Sequence, residues 1–334
     1  MGANTEIGNI VKGALFEFGP SIPHLRLARV LAERYPECGT VQNYYDTIRY
    51  YRGKRGPDKR KRLTDKTHLD HHERSKDMRQ LPETLAETWE PFRISHAGGQ
   101  RILVLSDIHF PYHDPVALSA ALDYGHTQKP TIILLNGDLM DCHEFGVYER
   151  DPRKRHVAEE MEAVRTFFAL LREEFPLARI IWKLGNHEER WSRWMMRMAP
   201  QLLGIKEFDL YGLLKCAEHG VELVSDKRVI YAGKLHILHG HEFGGGGGGV
   251  NPARWLYLRC GESAICGHFH RTSEHMDKTI SQSIIGAWST GSLCEMHPKY
   301  MPINRWNHGF AFVHVENNGT FRVGNYRIID GKVY

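Results

Sequence analysis

Three short apolar runs in the middle of the chain each end directly at a group of polar residues. The runs cover residues 102–105, 131–135 and 180–184, and an amphipathic helical repeat with apolar residues at positions 157, 161, 164, 168, 171 and 175 separates the last two. Short continuous apolar runs are typical of strands buried on both faces, as in parallel sheets. This strand–helix–strand order predicts an α/β fold. Its polar residues should gather at the carboxyl ends of the strands, where open α/β sheets place their sites.

Five polar motifs follow these and later runs in a fixed order. They are Asp107-Ile108-His109, Gly137-Asp138-Leu139-Met140-Asp141, Gly185-Asn186-His187-Glu188, His239-Gly240-His241 and Gly267-His268-Phe269-His270. Together they supply the carboxylate, imidazole and amide donors that manganese, iron or zinc ions bind. In an extended strand end, residues i and i+2 point the same way, so Asp107 should face the same cluster as His109, and His268 the same as His270.

In this order the five motifs resemble the calcineurin-like metallophosphoesterase superfamily, over roughly residues 100 to 315. The resemblance implies two packed mixed β-sheets flanked by helices, in a four-layer αββα arrangement, and a centre of two divalent metal ions. It implies seven ligands: for the first metal Asp107, His109 and His270, for the second Asn186, His239 and His268, and Asp138 as the bridge between them. Manganese is expected, with iron, zinc and nickel as alternatives, because the same ligands suit all four.

His241 lies two residues beyond His239, so by spacing either histidine could be the ligand. The family pattern favours His239 and leaves His241 as a substrate contact. Arg190 and Arg193, on the helix expected after Gly-Asn-His-Glu, are further candidate substrate contacts.

The charge of such a centre constrains its chemistry. Two divalent ions, two carboxylates and a bridging hydroxide leave about +1, which favours an anionic phosphoryl group over a neutral amide. The family mechanism is attack on phosphorus by the metal-bound hydroxide. In the family, the residue matching His187 donates a proton to the leaving oxygen and pairs with the residue matching Asp141, which keeps it protonated. A helix N-cap is the structural alternative for Asp141.

The first third of the chain has a different texture. Apolar periodicity predicts three short helices and hence a small all-α, helix-turn-helix-like module over residues 1–62, followed by a connector at 63–98 and the catalytic domain at 99–334. Residues 49–62 hold eight basic residues against one acidic residue, a local charge of +7, so the rest of the chain carries −3 of the net +4. The basic residues are Arg49, Arg52, Lys54, Arg55, Lys59, Arg60, Lys61 and Arg62.

Four tyrosines accompany this basic segment: Tyr44, Tyr45, Tyr50 and Tyr51. Because aromatic rings stack on bases and arginines neutralise phosphates, the module is predicted to bind nucleic acid, DNA being favoured over RNA. The alternative is a solvated basic linker.

The run Gly244 to Gly249 formally matches a dinucleotide-binding fingerprint, but the strand–turn–helix context is missing and that interpretation is rejected. A lid beside the metals is favoured over an anion-binding loop before a helix at Asn251-Pro252, and over a plain loop.

Six cysteines without a C-x-x-C pair, a beginning without a signal-peptide pattern and the lack of an apolar run of about 18 residues predict a soluble cytoplasmic protein with no membrane partner. We therefore expect a dinuclear metal-dependent phosphoesterase, of phosphodiesterase or nuclease-like activity on nucleic acid. One alternative is a phosphomonoesterase, although Cys142 follows Asp141 where the Ser/Thr protein phosphatases have arginine. The other is a catalytically inactive binding protein, which the complete ligand set and His187 disfavour.

Overall fold

The computed structural model describes residues 6–18, 22–52, 85–86, 88–147, 157–244 and 249–334. The chain divides into two compact units, Met1–Glu87 and Thr88–Tyr334. Strand β1 (Phe92–Ile94) belongs to a sheet of the second unit and lies inside the range 63–98 that the sequence predicts to be a connector.

Among its described residues, the first unit contains three helices at the predicted places: α1 (Glu6–Phe18), α2 (His24–Arg34) and α3 (Val41–Tyr51). Helix α3 begins at a capping box, because the Thr40 hydroxyl accepts the Asn43 backbone N–H and the Asn43 side chain accepts the Thr40 N–H. Tyr44 and Tyr51, on the inner face of α3, are only 0% and 3% exposed. These two tyrosines therefore belong to the core, and the expectation that all four could stack on bases is wrong.

The second unit contains thirteen strands and five α-helices among its described residues. Strands β2 to β13 are Gln100–Leu105, Ile132–Asn136, Arg179–Lys183, Val221–Val224, Ile230–Ala232, Leu235–Ile237, Ala264–Cys266, Ser273–Lys278, Ile284–Ser289, Gly309–Val315, Phe321–Ile329 and Lys332–Val333. Helices α4 to α8 are Pro115–Gln128, Val157–Glu174, Glu189–Met198, Leu210–Leu213 and Pro252–Cys260.

The strands form two mixed sheets. The seven-stranded sheet has the order β13-β12-β11-β2-β3-β4-β5, and the six-stranded sheet the order β1-β6-β7-β8-β10-β9. Strands β2, β3 and β4 are mutually parallel, as the continuous apolar runs predict, and β5 adds a fourth parallel strand that the sequence analysis did not predict.

Alternation along β2 shows how the layers pack. Ile102 and Val104 belong to the core between the two sheets, whereas Leu103 and Leu105 belong to the core under α4 and α5. On the outer face of the six-stranded sheet, Leu256 of α8 packs in a smaller cluster. The predicted four-layer αββα fold is confirmed.

The topology brings the motifs together at one end of the two sheets. Strands β2, β3 and β4 are parallel neighbours, and so are β7 and β8 of the other sheet. Each of these five strands leads directly into one of the five motifs. Because the carboxyl ends of parallel strands meet at one edge, five loops that are distant in sequence converge.

Candidate metal centre

Five of the seven expected ligands have a left-handed backbone. Their φ angles lie between 51° and 69°, at Asp107, His109, Asp138, His268 and His270. Non-glycine residues adopt this conformation infrequently, and it clusters at functional sites. The expected pairing of positions i and i+2 is present, but its reason is different: Asp107 and His109 lie beyond the end of β2, in an irregular loop rather than an extended strand.

Asp138 lies at the centre of the cluster and is 2% exposed. Its Oδ2 is 3.2 Å from Nε2 of His239 and 3.8 Å from Nε2 of His109. One carboxylate oxygen thus faces a histidine expected to bind the first metal and a histidine expected to bind the second, as a bridging ligand would.

The first half-site, as the sequence predicts it, comprises Asp107, His109, His270 and the shared Asp138. Nε2 of His270 is 3.2 Å from Asp107 Oδ1 and 3.2 Å from Nε2 of His109. Two ligand atoms about 2.1 Å from one ion, at 90–110° to each other, lie about 3.0–3.4 Å apart. The distances from His270 to Asp107 and to His109 are those of ligands that share a single divalent ion.

The second half-site comprises Asn186, His239, His268 and Asp138. Nε2 of His239 is 3.2 Å from Asn186 Oδ1, and ligand atoms of Asp138, His239 and His268 lie within 4.8 Å of one another. The Nδ1–H of His239 donates to the Asn136 carbonyl at 2.8 Å, which leaves Nε2 directed at the cluster. Each half-site therefore offers two oxygen and two nitrogen donors, a set that suits manganese, iron, zinc or nickel.

The carboxylates of the centre raise the pKa values of two of the expected histidine ligands. Burial works against protonation of His239, but the Asp138 carboxylate outweighs it and raises the pKa of His239 to about 10. In the same way, Asp107 raises the pKa of buried His270 well above its usual value. Two divalent ions would satisfy the same carboxylates and displace those protons.

Two buried glutamates, which the sequence analysis overlooked, anchor the ligand loops. Oε2 of Glu188 accepts the Gly185 N–H at 2.7 Å and the Asp138 N–H at 3.1 Å, and its Oε1 accepts the Met140 N–H at 2.9 Å. Glu242 accepts the His239 N–H at 2.8 Å. In both cases the glutamate reaches back three residues, a pattern visible in the paired motifs Gly-Asn-His-Glu and His-Gly-His-Glu.

His187 and Asp141 meet as predicted, but Asp141 contacts more than one histidine. Its Oδ1 is 3.3 Å from Nδ1 of His187 and 3.3 Å from Nδ1 of His109. The Nδ1–H of His187 donates at 2.7 Å to the backbone carbonyl of Asp141. The short helix His143–Phe145 that follows has Cys142 at its N-cap and no side-chain capping bond, so Asp141 does not act as that cap.

Of the three candidate substrate contacts, Arg190 contacts the catalytic candidates His187 and Asp141, whereas His241 and Arg193 pair with Glu189. Arg190 donates from Nη2 to Nε2 of His187 at 2.9 Å and from Nη1 to the Asp141 carbonyl at 2.9 Å, which places it at the site. His241 is turned towards Glu189, with Nε2 2.9 Å from Oε1, and the same glutamate pairs with Arg193, whose side chain is 59% exposed.

An aromatic pair at the edge of the first half-site has no local sequence signal. The Trp306 ring lies 4.2 Å, centroid to centroid, from the ring of His270, and Tyr300 lies 6.4 Å from Trp306 and is 73% exposed. Sγ of Cys294 is 3.8 Å from Nδ1 of His270.

Most of the predicted nucleic-acid contacts fall outside the described residues, namely Lys54, Arg55, Lys59, Arg60, Lys61 and Arg62. Of the two described, Arg52 donates to the Ile22 carbonyl at 2.6 Å, and the Arg49 guanidinium lies 5.7 Å over the Tyr45 ring. Residues 245–248 of the glycine run are also outside the described range. Asn251 caps α8 as the sequence predicts, accepting the Arg254 N–H at 2.9 Å.

A family model for the calcineurin-like phosphoesterases matches residues 100–271, which include all seven expected ligands. The chain belongs to this family of metal-dependent phosphoesterases, as its five motifs predict.

Two related phage proteins and several solved structures are similar to it. The Gene 54 protein of Mycobacterium phage L5 is 26% identical over 258 residues, covering 70% of this chain and 98% of that protein. Its counterpart from Mycobacterium phage D29 is 25% identical over 237 residues, with 66% and 90% covered. A single mutant of Vps29 from Entamoeba histolytica matches with a TM-score of 0.37 at 14% identity, covering 70% of this chain and 96% of that one. The phosphoesterase Yfce from E. coli matches with a TM-score of 0.31 at 15% identity, covering 67% and 98%.

Within the described part of the chain, none of the helices combines the length and apolar character needed to cross a bilayer.

Proposed function

We propose that this chain is a dinuclear metal-dependent phosphodiesterase acting on nucleic acid, with manganese as its expected metal. The observation that carries the proposal is the central position of Asp138 between two sets of convergent donors. Asp107, His109 and His270 would hold one ion, and Asn186, His239 and His268 the other. When bound, two such ions would act as Lewis acids on the phosphoryl group and lower the pKa of a coordinated water.

The protein's own residues would then manage the proton of the leaving oxygen. The Nδ1–H of His187 is fixed on the Asp141 carbonyl, so Nε2, which lies 2.9 Å from Nη2 of Arg190, is the atom that would exchange a proton with substrate once Arg190 turns to the phosphate. Burial opposes protonation of His187, but the charges of Asp138 and Asp141 outweigh it and raise its pKa. A raised pKa keeps the imidazole in the form that a general acid needs.

Arg190 would act on the phosphoryl oxygens. Its guanidinium lies against Nε2 of His187, where the leaving oxygen has to arrive, so an incoming phosphate meets both groups. The planar guanidinium suits two phosphoryl oxygens at once.

Nucleic acid is favoured as substrate for two reasons. The exposed Tyr300 and its neighbour Trp306, next to ligand His270, offer aromatic faces on which a base beside the scissile phosphate can stack, worth about 1–3 kcal/mol per base. The basic segment at residues 49–62 provides sequence-independent attraction to phosphates.

The test uses the full chain with manganese on bis-p-nitrophenyl phosphate, p-nitrophenyl phosphate, a single-stranded DNA oligonucleotide and an abasic oligonucleotide of equal length. We expect turnover of all three diester substrates and preference for the oligonucleotide with bases over the abasic one. Tyr300→Ala should raise KM for that oligonucleotide by roughly 5- to 150-fold and leave the abasic substrate unaffected, whereas the control Tyr300→Phe keeps the ring and the wild-type KM.

Other results would redirect the assignment. Turnover of the monoester alone would support a phosphomonoesterase, and lack of turnover with every metal would support a binding protein. Equal KM values with and without bases would remove the stacking argument.

A further inference from the structure

A buried ion pair lies beneath the second half-site. Lys183, the last residue of β4, is fully buried, and its Nζ is 2.9 Å from Oε1 of Glu242 and 2.8 Å from the Arg228 carbonyl. The Glu242 side chain is 7% exposed. Removing two charges from water costs several kcal/mol per ion, so a buried pair by itself adds little to stability. Its role is better sought in what the pair holds in place.

The pair joins two ligand loops that come from different sheets. Glu242 accepts the His239 N–H through Oε1 and the Gly240 N–H through Oε2, at 2.8 and 2.7 Å. Lys183 belongs to the seven-stranded sheet and stands three residues before Asn186, whereas the loop of Glu242 follows β7 of the six-stranded sheet. The ammonium–carboxylate contact thus spans the gap between the sheets close to both ligands.

The ion pair lies beside the ligands of one metal position. Asn186 Oδ1 and His239 Nε2 are 3.2 Å apart, the spacing that one ion requires, and they are attached to the two loops that the pair joins. Ligands particular to the first half-site make other contacts; for example, Nδ1 of His109 is 3.3 Å from Oδ1 of Asp141.

We propose that Lys183 and Glu242 are positioning residues for the second metal, setting the affinity of its site independently of the first. This inference rests on the ligand assignment under Proposed function. A pair that only stabilised the fold would change both metal affinities together.

The experiment titrates the metal-free full chain with Mn²⁺ by calorimetry and follows the bound ions by electron paramagnetic resonance. Two neighbouring ions give an exchange-coupled spectrum and a single ion gives the six-line spectrum of isolated Mn²⁺. Wild type should bind two ions. Lys183→Met should bind the first with unchanged affinity and the second about 10- to 100-fold more weakly, with the six-line spectrum at intermediate concentrations.

The matched control is Arg179→Met, at the other end of the same strand. Arg179 forms an exposed pair with Glu222 at 2.9 Å, and its loss should leave both metal affinities unchanged. Glu242→Gln keeps the shape and an oxygen acceptor but removes the charge, so it should weaken the second ion even if Lys183→Met does not fold.

Wild-type binding of both ions in Lys183→Met or Glu242→Gln, or equal weakening of the two ions, would overturn the inference and leave the ligand assignment standing. A wild-type chain that binds fewer than two ions would overturn both the inference and the ligand assignment.

Discussion

A single methyl group at Gly185 tests whether the approach of two ligand loops controls the centre. A Cβ at this position would lie 2.5 Å from the backbone nitrogen of Asp138 and would also overlap its Oδ1. The φ of Gly185 lies outside the left-handed region, so alanine fits the local backbone there and the contact with Asp138 is the cause of any effect.

The size of the effect follows from this distance. Non-bonded heavy atoms prefer about 3.5–4.0 Å, so Gly185→Ala has to separate the loops by about 1 Å. Glu188 bonds both the Gly185 and the Asp138 N–H groups, and this opening stretches the two bonds. We expect about 1–3 kcal/mol of destabilisation from overpacking. Misplacing the Asp138 carboxylate, the proposed bridging ligand, by about 1 Å should lower kcat by about 10²-fold.

The assay measures kcat on bis-p-nitrophenyl phosphate at saturating Mn²⁺, metal affinity by calorimetry and the free energy of unfolding in urea. Gly13→Ala is the control, because a Cβ at Gly13 meets no atom within 4 Å. In helix α1 this change should raise stability by about 1 kcal/mol and leave kcat alone. If Gly185→Ala kept the wild-type kcat and both metal affinities, Asp138 would not be the bridging ligand held by this contact.

Three further outcomes follow from the same geometry. His187→Ala should lower kcat by about 10²- to 10⁴-fold while calorimetry still detects two bound Mn²⁺ ions, because His187 contacts no metal in the proposed assignment; loss of an ion would make it a ligand instead. Binding of Mn²⁺ should release protons, since the carboxylate of Asp138 raises the pKa of His239 to about 10 against the effect of burial. Calorimetry in buffers of different ionisation enthalpy should detect this proton release, and the affinity for Mn²⁺ should fall as pH falls. Burial raises the pKa of Glu160 from 4.5 to about 8. Between these two pH values the folded chain binds a proton that the unfolded chain has lost. The free energy of unfolding should therefore fall as pH rises through this range, by about 1.4 kcal/mol per pH unit. Urea unfolding of metal-free Glu160→Gln should lack this contribution, and parallel pH profiles for the variant and wild type would refute it.

The layers, and the meeting of the expected ligands at one sheet edge, were readable from the sequence because each depends on local information. A continuous apolar run defines a buried parallel strand, and the residues directly after it lie at the sheet edge whatever their exact conformation. This explains why Asp107 and His109 were placed correctly by an argument from extended geometry, although both have a left-handed backbone.

Other features depended on long-range packing or were overlooked. Tyr44, Ile48 and Tyr51 form an i, i+4, i+7 stripe, which is the pattern of a core-facing helix side and accounts for the burial of both tyrosines. Trp306 reaches His270 through a loop 36 residues away in sequence, which no periodicity could indicate. The repeated spacing of Glu188 and Glu242 was a sequence signal for their anchoring role. For Lys183, the sequence showed only a charged residue inside an apolar run.

The anchoring bonds also bear on how the centre assembles. The loop of Asp138 is tied to that of Gly185 by Glu188, the loop of His239 to β4 by Glu242, and the Asp107 carboxylate accepts an N–H from the last ligand loop. Each tie is a hydrogen bond or ion pair within the protein, and none requires a metal. The donor atoms can therefore keep ligand spacing before metal arrives, so binding requires little loop ordering and its main coupled event is the loss of protons. Circular dichroism of the metal-free and metal-loaded chain should then coincide, while the calorimetric heat depends on the buffer; a large gain of structure on metal addition would mean that the ions, and not the buried glutamates, hold the loops.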